Sequence, residues 1–532
     1  MGEDDIRAVS DTILCCCARK GKHGGNRVTV AFGRRIWPLI LMPWLLAGQP
    51  PAITQEGVRN LASQMPPSLP GGALAPGALI SIRGLRLSAR DQAPRIVFRQ
   101  SGSELAAEAI KSTTEYLETR VPSKLVAGNA DLIVIREGQA SRPFLVHIRP
   151  GAFGIFSENG KGWGPGGPEA HPAGSAAISG TGLGAYPGAE VWVGGKQASQ
   201  VSVSPHPKRA GTDEVRFKLA SDTPFGCFVP VMVKTGASVS NVVTIPVAAP
   251  GQPCPGSPMS PDGLIVLARL MMRVRLVGGA PADFTQDIGA AIFPNSPGSP
   301  LFVGWRQLPP PRTCTSYSGN WISDSSSGGV VDFLFRAEGP GKSAGPSITV
   351  AGPKGSASLL PREGGRGFYA AELGGGLPFT RIPKPRFLTE GLFHISGGGD
   401  QIAPFTADAK FPAAVKWRDP DKLDFIDRAA GAIVRWSGGS SHEQVLLLAI
   451  NVDQLSGGMG MCLCVAPAAD RHMQIPPAML ANVPASQPIP GIPMSYYFIA
   501  ALPAVPQRFQ TGGVQHGALL LTTLQGRTVT FR

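Results

Sequence analysis

Charge is scarce in this 532-residue chain: Asp, Glu, Lys and Arg make up only 16% of it. Lys and Arg (49) outnumber Asp and Glu (36), for a formal net charge of +13, yet no run of five basic residues occurs. That removes the concentrated basic arm by which many chains grip nucleic acid. The excess reads as a solvated basic surface open to anionic contacts. Compact chemical signatures are missing as well. No two of the eight histidines stand at metal-ligand spacing. His442-Glu443 in "SSHEQVL" lacks the second histidine of a zincin helix and runs into a strand-like stretch, so it reads as a surface turn. Ser440, Ser441 and His442 are neighbours in sequence, but a triad is assembled in space, not along the chain. There is no G-x-S-x-G elbow, Walker loop or RNA-binding signature. Asp419, Asp421 and Asp424 in "DPDKLD" cluster the carboxylates that calcium favours, but their spacing fits no EF-hand loop. The expectation is no catalytic residue, no cofactor and no metal site.

What the chain has is turn formers and short apolar runs. It is 43% hydrophobic, and Gly (68) and Pro (52) together exceed a fifth of it. Inside a helix Gly costs about 1 kcal/mol and Pro about 3 relative to Ala, so long helices are disfavoured and short strands joined by turns are favoured. The length suits about three to five domains. Because the Gly and Pro are interleaved with Val/Ile/Leu runs, no single long disordered tract is expected.

The first residues carry an export pattern. Arg34-Arg35 precede "IWPLILMPWLLAGQP", where an apolar run of twelve (36–47) ends in small residues at Ala47-Gly48. A basic step, an apolar core and a small-residue site are the three parts of a secretory signal. The run is shorter than the roughly 20 residues of a membrane span. Upstream, "MGEDDIRAVSDTILCCCARKGKHGGNR" is acidic at its start, so translation is expected to begin near Val28 or Val30. The other long apolar stretch, "LIVLARLMMRVRLVGG", contains three arginines and is no membrane span.

In "AAISGTGLGAYPGAEVWVGG" the residues Gly180, Gly182 and Ala185 have G-x-G-x-x-A spacing. A repeat decides how to read them. Gly84-Leu85 aligns with Gly182-Leu183 at an offset of 98, and the offset also aligns Thr114-Glu115 with Thr212-Asp213, Gly128 with Gly226 and Gly138 with Gly236. One residue of slippage then aligns Ser141 with Ser240. A unit near 100 residues is too long for a solenoid repeat and is the size of an immunoglobulin-like sandwich. Its runs "EVWVGG", "VRFKLA", "FVPVMVKTG" and "SNVVTIPV" read as strands. A dinucleotide loop needs a helix after its glycines. Here the chain passes through Tyr-Pro-Gly into a strand, so the triplet reads as a tight turn and no nucleotide is expected. "SELAAEAIKSTTEYLE" (103–118) favours helix by propensity, but its repeat partner does not, and strands are expected there.

"PGALISIRGLRL" and "HPAGSAAISGTGLG", each ending downstream in a "SNVVTIPV"-type strand, resemble the IPT/TIG branch of immunoglobulin-like domains over about residues 73–250. With the inter-repeat "RPGAFGIFSENGKGWGPG" and the tail "CLCVAPAADRHMQIPPAMLANVPAS", the chain looks like uncharacterised secreted acidobacterial proteins with tandem Ig-like modules. The resemblance implies a sandwich fold and no catalytic residues.

The expected architecture is all-β: tandem Ig-like sandwiches followed by two further β-rich domains. The segments are an extension plus signal (1–48), sandwiches at 53–150 and 151–256, a β-rich domain at 257–410 and a C-terminal β-sandwich at 411–532. "PPAMLANVPAS" could hold one short helix, and Trp417 and Trp436 read as core aromatics. Five cysteines lie beyond the export pattern, an odd number, so at least one is free or paired between chains. "FVPVMVKTG" and "SNVVTIPV" form a hairpin through Gly236, which brings Cys227, at the head of one strand, near Cys254, just past the other. Their bridge would staple the end of the second sandwich. Cys314–Cys464 is a second candidate pair, although no hairpin joins them, and the Cys462-x-Cys464 pair reads as strand residues. The functional expectation is a secreted, periplasmic or cell-surface binding, adhesion or scaffolding module, not an enzyme, with a protein, polysaccharide or envelope surface as partner. The competing readings are an extracellular carbohydrate-active hydrolase with accessory sandwiches and, against the export pattern, a nucleic-acid binder.

Overall fold

The computed structural model describes residues 49–89, 92–184, 188–207, 209–255, 262–275, 279–295, 308–320, 341–362, 367–376, 384–413, 415–487 and 494–532. The export residues Arg34, Arg35 and Ala47, and Ala185 of the glycine motif, lie outside the described residues. Pro50–Arg532 pack as one unit.

The first sandwich contains β1 (Ala52–Asn60), β2 (Leu79–Leu85), β3 (Arg95–Gln100), β4 (Ser103–Ala107), β5 (Ala109–Ser112), β6 (Tyr116–Arg120), β7 (Gly128–Arg136), β8 (Gln139–Ala140) and β9 (Phe144–Ile148). One sheet runs β1-β2-β6-β5. The other runs β4-β3-β7-β8, with β9 also on β7. The second sandwich repeats this plan. It has β10 (Gly154–Ile155), β11 (Ser175–Thr181), β12 (Glu190–Val193), β13 (Lys196–Gln197), β14 (Ser199–Pro205), β15 (Asp213–Lys218), β16 (Gly226–Thr235), β17 (Ser238–Val239) and β18 (Val243–Val247). Its sheets are β10-β11-β15-β14 and β13-β12-β16-β17, with β18 on β16. In both halves these are the A-B-E-D and C′-C-F-G sheets of an immunoglobulin-like sandwich.

The repeat landmarks have physical roles. Gly138 (φ +79°) and Gly236 (φ +60°) turn equivalent hairpins in the left-handed region that favours glycine. Ser141 Oγ accepts the Val134 N–H (3.0 Å) and donates to Arg142 O (3.0 Å). Ser240 Oγ does the same with Val233 N–H (2.9 Å) and Asn241 O (2.6 Å). Each sandwich buries its alternate strand residues: Ile80, Ile82, Phe98, Leu132 and Val134 in the first; Ile178, Val215, Phe217, Val231 and Val233 in the second. Removing such a side chain from water is worth about 1.5–3 kcal/mol each. Residues 103–118 are strands β4, β5 and the start of β6, against their helix propensity, because Leu105 and Leu117 face the core from them.

The remainder comprises β19 (Gly263–Arg275), β20 (Pro281–Ile292), β21 (Thr313–Asn320), β22 (Ile348–Gly352), β23 (Gly355–Pro361), β24 (Phe368–Gly376), β25 (Gly391–Gly397) and β26 (Phe405–Phe411). It continues with β27 (Lys416–Arg418), β28 (Phe425–Ile426), β29 (Ala432–Ser437), β30 (Glu443–Val452), β31 (Gly458–Pro467), β32 (His472–Ile475), one helical turn α1 (Pro477–Leu480), β33 (Ser495–Pro503), β34 (Gln507–Thr511), β35 (Val514–Thr528) and β36 (Thr530–Phe531). Thirteen strands form one sheet in the order β21-β31-β30-β33-β35-β19-β20-β24-β23-β22-β25-β26, with β34 on β35.

Strand pairing in this sheet runs across the expected boundary at 410/411. β19 pairs in parallel with β35, from Gly263↔Gly517 to Arg273↔Arg527, and β21 pairs with β31. The reason lies in the alternation of side chains across a strand. Leu264 and Val266 of β19, Ala518 and Leu520 of β35, Leu446 of β30 and Leu463 of β31 enter one shared core. The opposite face of the sheet carries two cores. Ile265, Leu267, Leu519 and Leu521 enter one with Phe393 and Phe405; Val445, Leu447, Cys464 and Tyr497 enter the other with Trp436. Two β-rich bodies are present, but both draw strands from before and after residue 410. The near-continuous apolar run of β19 fits a strand buried on both faces.

Candidate functional site

The glycine motif sits at the joint between the sandwiches. Gly180 and Thr181 are the last two residues of β11, and Gly182 (φ +96°) and Gly184 (φ +62°) follow. A Cβ on Gly182 would stand 2.5 Å from Ala152 O, so the linker backbone occupies the space that a phosphate cradle would need. No helix follows among the described residues; Glu190 opens β12. The same joint is held by buried polar groups. Asn60 Nδ2 donates to Ala152 O (3.3 Å) and Thr181 O (3.2 Å), while its Oδ1 accepts the N–H groups of Ala62 (2.9 Å) and Ser63 (3.1 Å). Thr181 Oγ1 accepts Leu79 N–H (2.9 Å) and donates to Gly211 O (2.6 Å). Asp213 stands opposite Gly180 in the ladder, and its carboxyl lies above the usual range because burial disfavours the charge, offset in part by a hydrogen bond from the Leu183 backbone.

A second joint fixes the second sandwich to the C-terminal body. Met232 and Val242 enter the core around Trp436, with Trp192 and Val239 packed against it. Asn482 Nδ2 donates to Ser240 O (3.1 Å). Within the second sandwich Asn241 holds β10 and the segment after it, accepting Ile155 N–H (2.8 Å) and donating to Ile155 O (2.9 Å) and Gly162 O (2.8 Å). No sequence pattern marks Asn60 or Asn482, and Asn241 is marked only by its place beside Ser240 in "SNVVTIPV".

The candidate chemical clusters have defined neighbours. Asp421 and Asp424 face arginines: Arg527 bonds Asp421 (3.2 Å) and Asp424, Arg273 reaches Asp421 (3.8 Å) and Arg275 reaches Asp424 (3.5 Å). Asp419 pairs with Lys422 at 3.4 Å. Asp421 and Asp424 thus join the short 3-10 turn Pro420–Leu423 and its end to β19 and β35, and their charge is met by guanidinium groups. Glu443 accepts Ser440 N–H (2.6 Å), closing the "SSHE" turn just ahead of β30. Trp436 is 1% exposed and donates from Nε1 to Ala468 O (2.8 Å), and the Trp417 ring lies 5.4 Å from the Tyr497 ring, tilted 49° to it. Arg269 of the arginine-bearing strand β19 clamps the buried Asp287 through two bonds (2.7 and 2.9 Å), and Asp287 also accepts Phe387 and Leu388 N–H (2.8 Å each). Among the described residues no helix is long and apolar enough to cross a membrane.

The cysteines of the described residues form two bridges. Cys227 and Cys254 are bonded, Cα atoms 5.1 Å apart, with Gly226 opposite Val247 in the hairpin ladder. At the equivalent place in the first sandwich Asn129 instead hydrogen-bonds His147 across the strands (2.9 Å). Cys314 and Cys464 are bonded, directly opposite each other on β21 and β31. Cys462 is a buried free thiol whose Sγ lies 3.8 Å from that of Cys464, and burial pushes its pKa up to about 12.

Two shallow recesses mark the sandwiches. One of about 450 Å³ lies on the second, lined by Phe156, Glu158, Pro168 and Ser179 among others, with the Arg209 guanidinium 4.4 Å from the Phe156 ring. One of about 240 Å³ lies on the first, between Pro50, Pro51, Arg86, Arg142 and Phe144.

No family model and no curated protein matches the chain. Among solved structures it is similar to the SGBP-B of a mixed-linkage glucan utilization locus of Bacteroides ovatus in complex with a mixed-linkage heptasaccharide: 10% identity, 72% of this chain, 78% of that one, TM-score 0.12. It is similar to SGBP-B from a complex xyloglucan utilization locus in Bacteroides uniformis: 11% identity, 67% and 96% coverage, TM-score 0.18. Tandem Ig domains of titin match at 12% identity over 32% of this chain and 88% of that one, TM-score 0.13. At such scores the superpositions add nothing to the strand order itself.

Proposed function

We propose that the chain is an extracytoplasmic binding or scaffolding protein, without catalysis of its own, whose IPT/TIG-type sandwiches are fixed display modules for a polysaccharide or envelope surface. The carrying observation is the pair of polar joints. Asn60 and Thr181 lock one sandwich to the next, and Asn482 locks the second to the C-terminal body. Buried, satisfied amide groups resist sliding, because each lost bond strands a desolvated partner. A chain built this way holds several shallow surfaces at fixed spacing, as multivalent contact with a polymer requires. Two cystines fit an oxidising compartment, and the formal charge of +13 favours an anionic polymer.

The test has two arms. Fractionation of the host with N-terminal sequencing is expected to find mature chain outside the cytoplasm, beginning within a few residues of Gly48. Affinity electrophoresis through gels cast with polygalacturonate or with neutral dextran is expected to show retardation in the anionic gel that fades as salt is raised. A cytosolic chain retaining residues 36–47, or mobility unchanged in both gels, overturns the reading.

A further inference from the structure

Three sulfurs meet in one core: those of Cys314, Cys462 and Cys464 all lie within 4.8 Å of one another, on residues 5%, 1% and 0% exposed. Their placement follows from the strands. Cys462 and Cys464 are two apart on β31, so both point to the same face. Cys314 on β21 stands directly opposite Cys464, and Ser316 stands opposite Cys462. Among the described residues β21 ends the sheet and pairs only with β31. The Cys314–Cys464 bridge is therefore a covalent latch on an edge strand, and a free thiol sits in van der Waals contact with one of its sulfurs, 3.8 Å away.

We propose that these three residues form an intramolecular thiol–disulfide exchange site in which Cys462 releases the latch. Cys462 gives up its proton and its sulfur attacks Cys464 Sγ. The Cys462–Cys464 bond forms as the Cys314–Cys464 bond breaks, and Cys314 leaves as thiolate and takes up the proton. One disulfide and one thiol exist before and after, so no oxidant or reductant is consumed. Attack on Cys314 instead would require a diagonal Cys314–Cys462 bridge. Diagonal neighbours across a ladder lie roughly 7–8 Å apart, beyond ordinary disulfide reach, whereas residues two apart on one strand lie at about its upper limit.

The two states restrain the chain very differently. The Cys314–Cys464 bridge spans 150 residues of sequence, whereas a Cys462–Cys464 bridge closes only a single intervening residue. Loop-closure cost rises with length, so the long bridge is favoured where native packing holds β21 against β31 and the short one where that packing is lost. Exchange thus converts the most restraining cystine of the described chain into the least restraining, at constant redox state. Burial keeps the Cys462 thiolate rare, which holds the latch shut while the core is closed.

Differential labelling tests this on the full oxidised chain. Samples held in mildly alkaline buffer, with and without sub-denaturing guanidinium, are acid-quenched, unfolded and labelled with N-ethylmaleimide. They are then reduced, labelled with iodoacetamide and digested with trypsin, which places Cys314 and Cys462 in different peptides. Without denaturant the maleimide is expected mainly on Cys462, with a minor share on Cys314, of about 1–10% as for a minor state a few kcal/mol away. The share on Cys314 is expected to rise several-fold with guanidinium and to vanish in Cys462→Ser. Maleimide confined to Cys462 under both conditions, or appearing on Cys464 in place of Cys314, overturns the proposal.

Discussion

Asp213 shows how one carboxyl can be read twice. In sequence it is the Thr-Asp landmark that matches Thr114-Glu115 of the first sandwich; in the structure it closes the glycine turn by accepting from the Leu183 backbone. Burial raises its pKa, so the folded state prefers the protonated form more than the unfolded chain does. A group with a raised folded pKa contributes stability that is fully present below its unfolded pKa and lost as pH rises through the folded value. At neutral pH the charged carboxylate is then a cost. Asp213→Asn keeps an acceptor for the Leu183 N–H and removes the charge. The variant is expected to have a higher guanidinium midpoint than the parent at pH 7, and the gap is expected to close near pH 3, where the parent carboxyl is protonated too. An unchanged or lowered midpoint at pH 7 would show that the hydrogen bond outweighs burial. The cysteines mark the other side of residue-scale reading. A hairpin argument reaches Cys227 and Cys254 because one lies at the head of a hairpin strand and the other just past the end of its partner. The meeting of Cys314 with Cys462 and Cys464 depends on β21 crossing to a strand about 150 positions downstream, which no local pattern encodes.

At the scale of elements, the glycines of 180–184 fix how closely one sandwich approaches the next. Gly182 combines a positive φ with a carbonyl 2.5 Å from any Cβ, and Gly184 combines φ +62° with Pro150 O at 2.0 Å from its would-be Cβ. Gly182→Ala is therefore expected to cost on the order of 2 kcal/mol or more, from a strained backbone together with displacement of the linker. Gly188→Ala, with nothing within 4 Å of its Cβ and no positive φ, is expected to stay within about 0.5 kcal/mol of the parent. Equal melting temperatures for the two variants would sink the close-approach account. Strand identity was legible at this scale wherever two copies of a unit could be compared. The stretch 103–118 reads as helix alone and as strand beside its repeat partner, and the strand won because its alternate residues fill a sandwich core. The sandwich sheets follow from the same repeat. The polar joints did not show in the sequence, because a buried Asn at a domain contact has no periodicity: Asn60 matters only because Ala152 O and Thr181 O converge on it.

At the scale of the whole molecule the C-terminal half is organised by a sheet that ignores sequence order. Reading along the chain divides it at 410/411, where one set of strands ends and another begins. The core fills from both sides of that point, because long apolar strands such as β19 and β35 are buried on both faces and need partners wherever these can be found. A fragment of residues 411–532 would lose β19 from one edge of β35 and β21 from the edge of β31. It would expose Leu519 and Leu521 on one face and Leu463, Leu502 and Leu520 on the other, which the full chain covers from β19, β20 and the 344–411 region. At about 1.5–3 kcal/mol for each such side chain, the loss is comparable to the roughly 5–15 kcal/mol that holds an ordinary domain folded. The fragment 411–532 expressed alone is therefore expected to be insoluble or to lack a cooperative thermal transition, whereas 262–532, which keeps all thirteen strands, is expected to melt cooperatively. Circular dichroism melts of the two fragments under non-reducing conditions measure this. A soluble 411–532 fragment with a sharp transition of its own would show that the shared sheet is a contact between two independently stable domains and not the element on which both depend.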